Sequence, residues 1–187
     1  MKPPQRLLTG ERICLTAIEA SDHAEIARWS TDSNYLRNVR TSGAAPESKE
    51  QVAAFALAEA GDPNRFSFAI RENDRPGIIG IALIKDIEWP NGTGWLAIGT
   101  GSASNRGRGL GSEAVRLLVD FAFAELNLRR LSLSVIGYNQ RAIETYRRLG
   151  FVEEGALREA IERDGSHDDL LIMGLLASEW ADSPNTR

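Results

Sequence analysis

The chain has 187 residues, the size of one ordinary domain. Its 42% hydrophobic and 26% charged residues describe a packed protein, and a net charge of −4 argues against a broad face for nucleic acid or an anionic membrane. One cysteine, Cys14, and two histidines, His23 and His167, leave no internal disulfide, no all-cysteine metal site and no histidine-rich metal centre to expect.

The first six residues, Met-Lys-Pro-Pro-Gln-Arg, lack the apolar run of a signal peptide. Residues 7–17 alternate Ile13, Leu15 and Ala17 with polar positions, predicting a strand. Ser21 is placed to cap a helix running to about 30, with Asp22 and Glu25 in its first turn. Residues 31–46 read as a loop, and a second helix spans 47–60, between Pro46 and Gly61-Asp62-Pro63. Three strands then form an antiparallel meander: 66–70, 78–84 after a turn at 72–77, and 95–100 after Trp89-Pro90-Asn91-Gly92. The longest apolar stretch, 78–84, is far too short to span a bilayer, so a cytoplasmic protein is expected.

A Gly/Arg loop leads into a helix over 110–125 with Leu110, Ala114, Leu117, Leu118 and Phe121 on one face. A buried strand at 131–136 follows, then a helix at 140–149 closed by Gly150. A hairpin of 151–162 and 169–175 turns about Asp164-Gly165. No linker or internal repeat interrupts the chain, so a single domain over 1–187 is expected, its core at about 8–177. The order β-α-α-β-β-β-α-β-α-β-β makes strands 95–100 and 131–136 parallel and the rest largely antiparallel, a mixed α/β (α+β) sheet flanked by helices.

The chemistry sits in Asn105-Arg106-Gly107-Arg108-Gly109-Leu110-Gly111-Ser112, between a strand and a helix. A helix N-terminus leaves N–H groups unpaired and favours an anion. Glycines at alternate positions let the backbone approach it closely, and Arg106 and Arg108 can add charge-assisted bonds to phosphate oxygens. The bland alternative is a solvated turn. Gly109-x-Gly111-x-x-Ala114 superficially matches a dinucleotide fingerprint, but the next strand ends in Ile136-Gly137-Tyr138 with no carboxylate. A Walker A loop needs Gly-Lys-Ser/Thr, which does not occur.

Arg106-x-x-Gly109-x-Gly111 after a strand resembles the coenzyme signature of the GNAT superfamily of acetyl-CoA-dependent N-acetyltransferases. Asn139-x-x-Ala142-x-x-x-Tyr146-x-x-x-Gly150-Phe151 resembles that family's second coenzyme-contacting block. The start, Leu8-Thr9-Gly10-Glu11-Arg12-Ile13-x-Leu15, and the ending, Met173-Gly174-Leu175-Leu176 with Glu179-Trp180, look like the RimJ/RimL-type branch. Leu126-Asn127-Leu128 and residues 139–155 are also similar to bacterial spermidine acetyltransferases.

The resemblance implies a splayed central sheet holding acetyl-CoA, with no metal. Gly107, Arg108, Gly109, Leu110, Gly111, Ser112 and Arg106 would bind the pyrophosphate. Backbone of Ile98 and Thr100 would pair the pantetheine amides, and Asn139, Ala142 and Tyr146 would also contact the coenzyme. An amine, either a protein N-terminal amine or a small amine such as a polyamine, would attack the thioester directly in a ternary complex, with positioning as the main source of rate. Tyr146 would protonate the departing thiolate.

Read without the family, Tyr146 is core packing, and Asn139 is the cap of its helix. RimL-like members often carry serine where Ala142 stands. Glu88 is a candidate general base, with Asp168 and Asp169 as others, although each also reads as a surface carboxylate; His167 reads as solvated. Residues 101–150 hold eight arginines against four carboxylates, and 151–170 hold seven carboxylates against two arginines. An acidic hairpin bordering the acceptor cleft would favour a cationic amine. A homodimer through the hairpin's sheet edge is a further expectation. The competing reading is a catalytically inactive CoA-binding sensor or interaction module.

Overall fold

In a computed structural model, residues 8–181 are described. The expectations on the first seven residues lie outside them. The long apolar strands form one seven-stranded sheet in the order β1-β2-β3-β4-β5-β7-β6. Its strands are β1 (Ile13–Thr16), β2 (Phe66–Glu72), β3 (Ile78–Glu88), β4 (Thr93–Thr100), β5 (Arg130–Ile136), β6 (Val152–Arg163) and β7 (Ser166–Leu176). Only β4 and β5 run parallel, joined by α4 (Leu110–Ala124) in the expected βαβ unit.

Strand alternation sends Ile84, Ala82, Phe66 and Phe68 to one face, where α4 packs its apolar stripe. Phe121 meets Phe66 and Phe68 edge-on at 5.5 and 5.2 Å. Leu118 and Ala122 are fully buried beneath. The other face carries Ala69 and Ile81, covered by Trp29 of α1 (His23–Trp29) and Tyr35 of α2 (Ser33–Val39). Beyond them lies α3 (Lys49–Glu59), while α5 (Gln140–Arg148) follows β5 and a short α6 (Ala177–Ala181) ends the described chain. Trp180 donates from Nε1 to Asp120 at 2.8 Å, fixing α6 to α4.

Several boundaries move. β1 is shorter than 7–17 because the chain turns at Thr9–Gly10, where Gly10 N–H reaches the Ile13 carbonyl at 2.8 Å. Ser21 is not the cap of the first helix. Residues 20–22 form a turn of 3-10 helix in which Asp22 accepts the Glu19 N–H at 2.8 Å. Arg71 then pairs with buried Asp22 at 2.6 Å.

The largest departure is α2, inside the stretch read as loop. Asp32 caps it, accepting N–H bonds from Asn34 at 2.9 Å and Tyr35 at 3.2 Å. β3 also runs past Ile84 to Glu88 through a bulge at Asp86, whose φ is 51°.

Candidate active site

β4 and β5 pair only from Thr93–Trp95 to Arg130–Ser132. Past that point β4 stays with β3 and β5 with β7, so the two strands part in a V. A cavity of about 1030 Å³ occupies the V, reaching from the N-terminal turns of α4 and α5 on one side to α2 and α3 on the other. Ile98, Thr100, Asn139, Ala142 and Tyr146 all line it, together with Gly107, Gly109, Leu110, Gly111 and Ser112.

The loop conformation depends on glycine. Gly107 and Gly109 have φ of 85° and 79°, and a Cβ there would lie 3.2 Å from an Arg141 nitrogen and 3.3 Å from an Arg12 nitrogen. Gly109 is the N-cap of α4 and no side chain caps that helix. Its first amides therefore lack partners from their own helix, and they border the cavity at the positive end of the dipole.

The two arginines expected on phosphate are held by carboxylates. Arg108 does not line the cavity. It donates to both oxygens of Glu72 at 2.9 and 2.5 Å, and this hydrogen bonding holds the Glu72 carboxyl below its ordinary range. Arg106 does line the cavity, but donates to Asp32 and to the Gly101 carbonyl, both at 3.0 Å, with its guanidinium 6.0 Å over the Tyr35 ring. It ties the glycine loop to the start of α2.

Arg141, which the sequence reading passed over, borders the cavity beside Gly107. Among the described residues its guanidinium has no carboxylate partner. The signal was present in the sequence, since a cation in the first turn of a helix opposes the dipole unless an anion joins it.

Tyr146 is 8% exposed and meets Phe151 edge-on at 5.8 Å. Burial pushes its phenol up to about 12, and burial does the same for Tyr35 across the cavity. Both folded values lie above the ordinary 10, so above that pH the unfolded chain loses protons that the native one keeps. This contribution to stability is complete below pH 10 and is lost as pH rises towards 12. Urea unfolding of wild type and Tyr35→Phe between pH 9 and about 11.5 checks it, the variant showing a shallower fall by about one proton.

Asn139 accepts the Ala142 N–H at 3.2 Å, so it is the helix cap as well as a lining residue. Glu88 does not line the cavity. The longer β3 carries it to the closed end of the V, opposite Thr93, where it accepts from Asn91 at 2.9 Å. Asp169 accepts the Glu159 N–H at 2.9 Å, and neither it, Asp168 nor His167 lines the cavity.

The acidic hairpin does not border the cleft with its carboxylates. Glu153 pairs with Arg147 and Glu154 with Arg130. Asp164 takes both Arg37 nitrogens at 2.6 and 2.7 Å, which fastens the hairpin turn to α2. Arg163 adds bonds to the carbonyls of Arg40, Thr41 and Ser42, and the Tyr138 hydroxyl donates to that of Arg37. Glu47 is the carboxylate that lines the cavity among the described residues, and Arg40 holds it at 2.6 Å.

A mixed sheet split between two parallel strands, with an uncapped glycine-rich helix start at the split, is the arrangement that the resemblance in the sequence implies for a coenzyme site. The Acetyltransferase (GNAT) domain family matches residues 12–152. An uncharacterized N-acetyltransferase, p20, of Bacillus licheniformis is 28% identical over 174 residues, 91% of this chain and 96% of the relative. The spermidine N(1)-acetyltransferase of Escherichia coli is 34% identical over 79 residues, 42% of each chain. In fold, the chain resembles the spermidine N-acetyltransferase of Vibrio cholerae, crystallised with CoA and spermine. That likeness has a TM-score of 0.83 at 23% identity and covers 91% of this chain and 99% of the other. The protein belongs to the GNAT acetyltransferase family.

Proposed function

We propose that the protein transfers an acetyl group from acetyl-CoA to a primary amine, by direct attack in a ternary complex. The observation that carries this reading is the cavity through the V, with an uncapped, glycine-lined helix start at one end and a buried tyrosine within it. The family supports acetyl-CoA as donor, and the spermidine acetyltransferase relatives support a small amine as acceptor. A protein N-terminal amine is the other acceptor class.

The amides of Gly107 to Ser112 fit a pyrophosphate, and Arg141 supplies the cation that Arg106 and Arg108 do not. The β4 edge at Ile98 and Thr100, released from β5, fits the pantetheine amides. The amine nitrogen adds to the thioester carbonyl carbon, the C–S bond breaks, and the Tyr146 phenol gives its proton to the departing sulfur. The proton lost by nitrogen leaves through the open cavity, and solvent restores that of the phenol. Among the described residues the lining carboxylate, Glu47, is held by Arg40, so the amine is taken to enter already unprotonated.

Thiol release from acetyl-CoA against a panel of peptides, monoamines and polyamines tests the reading. Turnover well above the Tyr146→Phe background is expected. Coenzyme binding without product on any amine would leave only a coenzyme-binding module. Arg141→Gln is expected to raise the Kd of acetyl-CoA about tenfold and to flatten its salt dependence, read by calorimetry at two ionic strengths. We also place the protein in the cytoplasm. The exposed outer strand β6 offers an edge to a second copy, and sedimentation tests that dimer.

A further inference from the structure

We infer that the acceptor is an amine bearing an anionic group, a carboxylate or phosphate, and not a polyamine. The inference rests on the acetyltransferase reading and concerns the side of the cavity away from the glycine loop. That side is formed where β3 and β4 turn Leu83, Lys85, Trp95 and Ala97 towards α2 and α3, since Leu83 pairs with Ala97 and Lys85 with Trp95.

Three cations border it: Lys85, Arg65 and Arg40. A polyamine would need several carboxylates facing it. Among the described residues Glu47 alone lines the cavity, and Arg40 already neutralises it at 2.6 Å. The partners of the other two cations, Asp86 and Glu59, lie outside the lining. The Lys85–Asp86 pair, at 3.1 Å, is largely exposed and so holds weakly. An incoming carboxylate can take its place without stranding a buried charge.

Apolar surface accompanies the cations. Phe55 is 62% exposed on the same side, with the Arg65 guanidinium 5.8 Å over its ring, and Trp95 lies across from it on the sheet. Such a surface suits the aliphatic or aromatic body of an amine whose far end is anionic. A second ammonium would instead meet Lys85 and Arg65.

The test uses four acceptors that differ only at the far end: pentylamine, cadaverine, 5-aminopentanoate and 5-aminopentyl phosphate, with spermidine alongside. The carboxylate or phosphate member is expected to exceed cadaverine in kcat/KM by about tenfold. The two anionic arms distinguish carboxylate from phosphate recognition. Lys85→Glu is expected to reverse the order, and Arg65→Gln to narrow it. Equal or faster turnover of cadaverine or spermidine overturns the inference, as does an anion preference that neither substitution changes. Calorimetric binding of the same compounds, with and without CoA, reads the preference independently of transfer. An anion-selective protein that never releases thiol would fail as an acetyltransferase while retaining the charge preference, and one that binds none of the four overturns the inference.

Discussion

Tyr146→Phe is expected to lower kcat about a hundredfold while leaving the Kd of acetyl-CoA within about twofold. The substitution removes one oxygen and keeps the ring that packs edge-on against Phe151, so the core around α5 is preserved. What is lost is the proton that meets the departing sulfur. Burial holds this phenol near 12, which keeps it protonated throughout the working range. The wild-type profile should therefore show no alkaline fall from Tyr146 below about pH 11, and the variant should keep the wild-type shape at reduced height. Single-turnover rates at pH 7 to 10, with coenzyme affinity measured separately, decide it. An unchanged kcat assigns Tyr146 to packing alone.

The features legible from sequence are those governed by local chemistry. The alternation of Phe66, Phe68 and Ile70 announced β2, the apolar stretch 78–84 and the turns at 72–77 and 89–92 announced β3 and β4, and the stripe Leu110, Ala114, Leu117, Leu118 and Phe121 announced α4. The glycine loop was legible because glycine adopts the left-handed conformation at 107 and 109 without the strain that a Cβ brings. α2 was missed because only Leu36 of its seven residues is buried and no periodic stripe marks it. Its cap, Asp32 ahead of Ser33-Asn34-Tyr35, was the available signal.

Side-chain partners separated by long stretches of chain were not legible. Arg108 finds Glu72 across 36 positions, and Arg106 finds Asp32 across 74. A run of basic residues beside glycines therefore looked like a phosphate clamp when two of its members hold the loop to the sheet and to α2. Glu88 was misplaced for a related reason. A bulge at Asp86 lengthened its strand and carried it to the wrong end of the V.

These long-range ties explain how the two sides of the cavity remain in register although β4 and β5 part between them. Arg106 joins the glycine loop to the start of α2, and the hairpin turn holds its far end through Asp164 and Arg163. The acidic hairpin thus shapes the acceptor side by holding backbone rather than by presenting charge. The overall charge of −4 accordingly says little about what the cavity admits, because the cations line it and the carboxylates lie mostly behind or outside.

Gly109→Val and Gly111→Ala should separate the fold of the loop from its task. At 109 the φ of 79° forces a β-branched residue into a conformation costing about 1–3 kcal/mol, and its Cβ crowds Arg12, which also holds Arg108 and Glu113. The loop is then expected to shift, moving the amides ahead of α4 and raising the Kd of acetyl-CoA about a hundredfold. At 111 the backbone is helical, and a Cβ would make only ordinary contact with Thr100 at 3.6 Å. Alanine there should raise stability by up to about 1 kcal/mol through helix propensity. Yet Gly111 also lines the cavity, so the same methyl should weaken the coenzyme about tenfold. Urea unfolding, with the shift in Tm on adding acetyl-CoA, reads both quantities at once. A Gly111→Ala protein that is more stable but poorly protected by the coenzyme places the coenzyme against the first turn of α4. One protected like wild type would move the coenzyme away from that turn, and the uncapped amides would then need another partner.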